Sequence, residues 1–371
     1  MTPRERVLAV LSGRRPDAVP WFGDLDYWAT SLISRGLKPA DFKTNDSYIQ
    51  WHRELGVGFY LQGYFPFKTI IENCDVKEWR NGHDRFRQIE TPRGILRECW
   101  RWLPDSFAEA PAEHLVKSVS DLPAYRSLHQ NIRYEPDYDF AEKRRRQVGE
   151  MGIVLGYLPK SPFMQMVALD AGIMAVTEMS ADAAGELDET IAVLRHSHER
   201  AAVVAVDCPA EVLMIPENLS SEVVGRRFYE KYVRAYHESW TREIGRAGKY
   251  SCVHLDGTLK GLLGPVCSAG FTFVEAMTPA PVGDLEVGEW AAWSGTSKTV
   301  LWGGLPGIYF TDKVTDAEFD RHVIGVLRIM RRKPRYVLGV ADQVPPDGLE
   351  YRVKRVGRLV EEHGLFEKSE P

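Results

Sequence analysis

Three apolar runs in the second half of the chain end in side chains able to bind a metal or move a proton. Val212-Leu-Met-Ile leads to Glu217, Tyr250-Ser-Cys-Val leads to His254 and Asp256, and Phe271-Thr-Phe-Val leads to Glu275. If these runs are neighbouring parallel strands, their ends converge. One imidazole nitrogen with several carboxylate oxygens suits a divalent cation. Glu217, His254 and Glu275 are therefore the expected metal ligands. Asp256 adds a fourth ligand, orients His254 or caps the following helix, as aspartate often does. A later run, Tyr336-Val-Leu-Gly-Val, ends at Asp342, which is placed to give a proton or touch substrate. An early strand end offers Asp24 and Asp26, and Gly303-Gly304 close another run, where a ligand can approach the backbone. Trp21, Tyr27, Trp28, Tyr60 and Tyr64 fall near early strand ends, where they either wall an aromatic substrate or fill the core.

The elements that must position these residues show a β-then-α rhythm from about residue 152. Runs near 20, 57, 153, 212, 250, 272, 300 and 337 read as strands, with helical spacing between most of them. This favours a (β/α)8 TIM-type barrel, whose active site lies at the C-terminal strand ends. A doubly wound open sheet is the alternative. Residues 74–104 have a different period. Large apolar and polar residues alternate there, with turns at Asn81-Gly82 and Pro92-Arg93-Gly94. An inserted set of three antiparallel strands is predicted, lying outside the barrel layer. Residues 105–150 read as a helical and loop lid or connection, and the whole of 1–371 as one barrel domain.

Composition narrows the class. The chain has 371 residues, 44% hydrophobic and 27% charged, with a formal net charge of −5. Such a chain folds into a globular core. Its basic runs, such as Lys143 to Arg146, are offset by acids elsewhere, so no nucleic-acid partner is expected. The five cysteines form no CxxC pair and are too sparse for a disulfide framework, which points to a reducing cytoplasm. The N-terminus lacks the apolar run of a signal peptide, and no apolar stretch is long enough to span a membrane.

At these residues the chain resembles the uroporphyrinogen decarboxylase superfamily. Thr2 to Gly13 and Asp17 to Pro20 look like that family's first helix and strand. The stretches Ile89 to Leu96, Pro216 to Ser221, Val253 to Gly257 and Leu301 to Pro306 are similar to its O-demethylase-type methyltransferases. The decarboxylases' Arg-x-Ala-Gly-Arg motif is replaced by Trp21-Phe-Gly-Asp-Leu-Asp-Tyr, and their catalytic aspartate has no match in the stretch from Tyr60 to Pro66. The thiol-methylating relatives hold zinc with a His-x-Cys pair and a later Cys; here His254-x-Asp256 and Asp342 stand instead. The resemblance implies a zinc-dependent methyltransferase. It would move a methyl group from a small methoxy-aromatic donor to a corrinoid (cobalamin) carried by a partner protein. Zinc would be held by Glu217, His254 and Glu275, and Trp21, Asp26, Tyr27, Tyr60, Tyr64 and Gly303 would meet substrate. The alternatives are methyl transfer from corrinoid to a thiol, a decarboxylase-like lyase, and a barrel that binds without catalysis. A homodimer is among the assemblies the sequence allows.

Overall fold

The computed structural model describes residues 1–60, 63–296 and 298–366. Its centre is a curled, seven-stranded parallel sheet. Strand β1 is Trp21–Phe22. Strands β2 to β7 belong to the segment that follows: Phe67–Ile71, Asp75–Asn81, Asp84–Thr91, Gly94–Leu103, Ala108–Glu113 and Ile132–Pro136. The parallel sheet resumes with β8 (Leu155–Tyr157), β9 (Val212–Leu219), β10 (Tyr250–Leu255), β11 (Phe273–Met277), β12 (Val300–Pro306) and β13 (Tyr336–Ala341). Its order is β1-β13-β12-β11-β10-β9-β8. Neighbours run parallel because helices such as Ala184–Val206, Arg234–Arg246 and Asp316–Met330 return the chain to the same end each time.

Alternation along each strand separates two cores. Phe22, Tyr60, Leu155, Val212, Met214, Cys252, Phe273, Val300, Trp302 and Val337 pack together inside the curl. Trp21, Val154, Leu213, Ile215, Val253, Leu255, Val274, Leu301 and Leu338 pack outward, among the helices.

Among the described residues the sheet has seven strands, not the expected eight; the last two residues of the expected second strand, 61–62, lie outside the described residues. The predicted strand near 57 makes two isolated parallel bridges, Phe22 to Gly58 and Phe59 to Gly152, and so joins the two edges without a ladder. Crowding gives the reason. A Cβ on Gly58 would meet the Phe22 ring at 2.5 Å, and one on Gly152 would meet the Phe59 carbonyl oxygen at 1.6 Å. The backbones touch at glycine points instead of running side by side.

The 74–104 segment contains three antiparallel strands, and a fourth, β6, continues the sheet to Glu113 in the order β3-β4-β5-β6. Ile89 and Leu96 anchor this sheet against Leu122, Tyr125 and Leu128 of the helix Leu122–Gln130. Residues 105–150 also supply β7, which pairs with β2, and the helix Asp139–Val148. Among the described residues, no helix is long and apolar enough to cross a membrane.

Candidate active site

Side-chain direction at the strand ends follows from the alternation. On β10, Cys252 points inward, so His254 does too. On β11, Phe273 points inward, and so does Glu275. The two strands pair with His254 directly beside Glu275. His254 Nδ1 lies 2.8 Å from Glu275 Oε2, and the Tyr60 hydroxyl donates to Glu275 Oε1 at 2.7 Å. Both carboxylate oxygens of this buried acid are therefore occupied. On the other side of the ring, His254 Nε2 stands 3.6 Å from Asp342 Oδ1 at the mouth of the sheet. Burial opposes charge on His254. The Glu275 charge and hydrogen bond, with Asp342 and Asp256, outweigh it and raise its pKa to about 9. Asp342, half exposed, is pushed up to about 6 by partial loss of water, against the pull of His254.

Glu217 is placed differently. It follows Leu213 and Ile215 in the alternation, so it turns toward the helices. Its oxygens accept from the Ser161 backbone N–H at 3.0 and 3.1 Å, and Oε1 lies 2.8 Å from His237 Nε2. His237 lies on the helix Arg234–Arg246, and both side chains are fully buried. The structure thus brings His254 and Glu275 together and sets Glu217 in a separate buried pair. Among the described residues, no three His, Cys, Asp or Glu side chains are grouped to hold a metal ion.

The expected substrate residues divide in the same way. Tyr60 is inside, under Glu275. Trp21 points outward and stacks on Phe310 at 6.4 Å. Tyr64 packs edge-on against Phe140 at 5.1 Å. Tyr27 donates to the Ser106 carbonyl. Asp26 pairs with Lys43 at 2.9 Å. Gly303 meets the neighbouring strand, not a ligand space: a Cβ there would lie 2.3 Å from the Met277 carbonyl oxygen.

Asp24, not Asp26, is the buried acid of the first strand end, at 1% exposure. Its Oδ1 accepts from the Asp26 N–H, and its Oδ2 has no partner among the described residues. Burial, then the charges of Asp26, Asp342 and Glu275, hold it well above the usual carboxylate range. Sequence reasoning missed His237, which has no motif around it. It also missed the parity of Glu217 with Ile215, which was there to be read.

The model of uroporphyrinogen decarboxylase (URO-D) matches residues 113–363, more than half of the chain. Among solved structures, a methyltransferase from Methanosarcina mazei superposes with a TM-score of 0.62 at 13% identity, covering 98% of this chain and 99% of that one. At that identity the likeness is one of fold. A GH18 chitinase, ChiB, from Flavobacterium johnsoniae superposes with a TM-score of 0.34 at 10% identity, covering 61% of this chain and 81% of its own. No curated protein matches the sequence.

Proposed function

The chain belongs to the uroporphyrinogen decarboxylase family, and from that premise we propose that it is a methyltransferase. In this reading it takes a methyl group from a small O-methylated aromatic compound and passes it to a corrinoid on a separate protein. The observation that carries the reading is the acidic mouth built around His254. Glu275 at 2.8 Å and Asp342 at 3.6 Å flank one imidazole, the charge of Asp256 acts on it as well, and Asp24 is buried close enough to Glu275 and Asp342 to feel their charges. The strand ends carry no arginine. Lys160, buried nearby, donates to the Pro216 carbonyl. A mouth of this charge repels a polycarboxylate and favours a cation and a neutral ether. The shared fold with the Methanosarcina methyltransferase supports the same reading.

The residues fit zinc in part. Glu217 and Glu275 have their oxygens engaged elsewhere, so in this reading neither is a ligand. His254 Nε2 and Asp342 Oδ1, 3.6 Å apart, are near the roughly 3.3 Å separation of two ligands on one tetrahedral zinc. Asp256, whose charge acts on both His254 and Asp342, is the second acid there. Zinc bound there would supply Lewis-acid assistance to the departing aryl oxygen. A reduced corrinoid would supply the electron pair that takes the methyl carbon.

The chain's own residues do the rest. Glu275 accepts from Nδ1–H and so turns Nε2 toward the mouth, as carboxylates behind metal-bound histidines do. Tyr60 fixes Glu275 from below. Asp24, whose burial favours the protonated form, would hold a proton for the phenolate that leaves.

The test combines metal content with turnover. Purified protein should carry about one zinc per chain, and His254→Ala should lose it. With reduced corrinoid protein and a panel of methoxylated aromatics, the expected products are methylcorrinoid and a phenol. If no ether is demethylated while methylcorrinoid methylates a thiol, the reading is overturned.

A further inference from the structure

The four-stranded sheet β3-β4-β5-β6 ends in two unlike edges. The β6 edge is blunted. Pro111 removes a backbone donor, and the pairing of β5 with β6 shifts register between Cys99 and Trp100. The β3 edge has neither device. All seven of its residues, Asp75–Asn81, are exposed, without proline, and its pairing with β4 is unbroken. It carries a 45% exposed tryptophan, Trp79, stacked on Phe86 with ring centroids 5.3 Å apart.

Such an edge pairs with another strand unless its side chains forbid it. In an antiparallel pair, opposite residues share a face, so a two-fold axis through one residue sets each flanking residue against its counterpart on the far side. An axis at Lys77, Glu78 or Arg80 sets like charges against each other. An axis at Trp79 sets Trp79 against the partner's Trp79, and Glu78 against the partner's Arg80, twice over. On the tryptophan face, Lys77 meets the partner's Asn81. The Trp79–Phe86 stack then extends across the axis as one aromatic row. Glu78 and Arg80 are 60% and 63% exposed, and their present partners, Arg87 at 3.6 Å and Glu109 at 3.4 Å, are loosely held.

We infer that two copies of this chain pair antiparallel along β3, in the register centred on Trp79, to form a continuous eight-stranded sheet. This is an isologous interface, closed by symmetry, so assembly stops at the dimer.

Sedimentation velocity of the full chain tests it. A dimer is expected at roughly 100 µM chain, well above a micromolar dissociation constant. Arg80→Glu sets glutamates against each other at both ends of the register and should weaken the dimer at least tenfold, with an unchanged circular dichroism spectrum. In a Cys74→Ser background, Trp79→Cys should give a disulfide-linked dimer on mild oxidation. Directly opposed residues stand about 4.5–5.5 Å apart at Cα, within disulfide reach. Lys77→Cys should not cross-link efficiently, because it faces the partner's Asn81. A monomer at that concentration, a dimer indifferent to Arg80→Glu, or cross-linking at Lys77→Cys but not at Trp79→Cys overturns the proposal.

Discussion

At His254, neighbouring acids outweigh the cost of burying a charge, and this has a measurable sign. The folded pKa of about 9 lies above the ordinary value of 6.5. In metal-free protein the interaction stabilises fully below about pH 6.5 and is lost as pH rises through 9. The unfolding free energy of wild type, measured by urea titration, should fall across that window by an amount on the order of a few kcal/mol, and that of His254→Ala should not follow it. The Glu217–His237 pair behaves as a buried unit. Glu217→Ala strands the His237 ring and the Ser161 N–H in the core and should cost about 2–4 kcal/mol, read by chemical denaturation. Equal stability of the two proteins would remove that pair from the account of the fold. At this scale the sequence was partly legible. His254 and Glu275 each lie two residues beyond an inward-facing side chain, Cys252 and Phe273, and the structure brings them together. Glu217 shares its parity with Ile215, and that alternation sends it to the helix layer. Trp21 packs toward the helix layer for the same reason, since its neighbour Phe22 takes the inward place.

The elements that end in the site are bent where they matter. Asn218 and Ala276, each directly after a buried glutamate, have positive φ of 55° and 66°. The pairing of β9 with β10, and of β11 with β12, shifts register across them. Bulges of this kind re-aim side chains at the ends of strands. A left-handed conformation costs a residue with a Cβ about 1–2 kcal/mol relative to glycine, so Ala276→Gly should raise the unfolding free energy by up to about 1 kcal/mol. A drop in stability would mean that the buried Ala276 methyl contributes more than the strain removes. The strand-then-helix rhythm made most of these elements readable from sequence, because each buried strand is a short apolar run between helical patterns. The insertion was readable from its period of two, although β6, with its small residues and proline, carries too weak an alternation to be seen. The bulge at Ala276 left no trace, since alanine rarely adopts the left-handed region, whereas Asn218 is of a type that does.

For the molecule as a whole, the fold joins a curled parallel sheet to a side sheet on a helix; the match to the family over residues 113–363 takes in β8 to β13 of the curled sheet, while the side sheet ends at Glu113, where the match begins. The sequence predicted a closed ring of eight strands because it counts apolar runs and cannot count ladder hydrogen bonds. The curl has one thin line instead. Between β1 and β8 the chain is joined by the Gly58 and Phe59 N–H groups, which donate to the Trp21 and Met151 carbonyls, and by Ile153 N–H, which donates to the Phe59 carbonyl. Among the described residues, every other neighbouring pair in the sheet shares a ladder of at least two paired residues, with register shifts between β9 and β10 and between β11 and β12. Local opening follows the line of fewest bonds. Amide deuterium uptake at Gly58, Phe59 and Ile153 should therefore run ahead of uptake at Val253, Val274 and Leu301, and uniform protection across all six would contradict this. Tyr60 stands at that seam with its hydroxyl on Glu275, so each breath of the ring tugs on the carboxylate that aims His254.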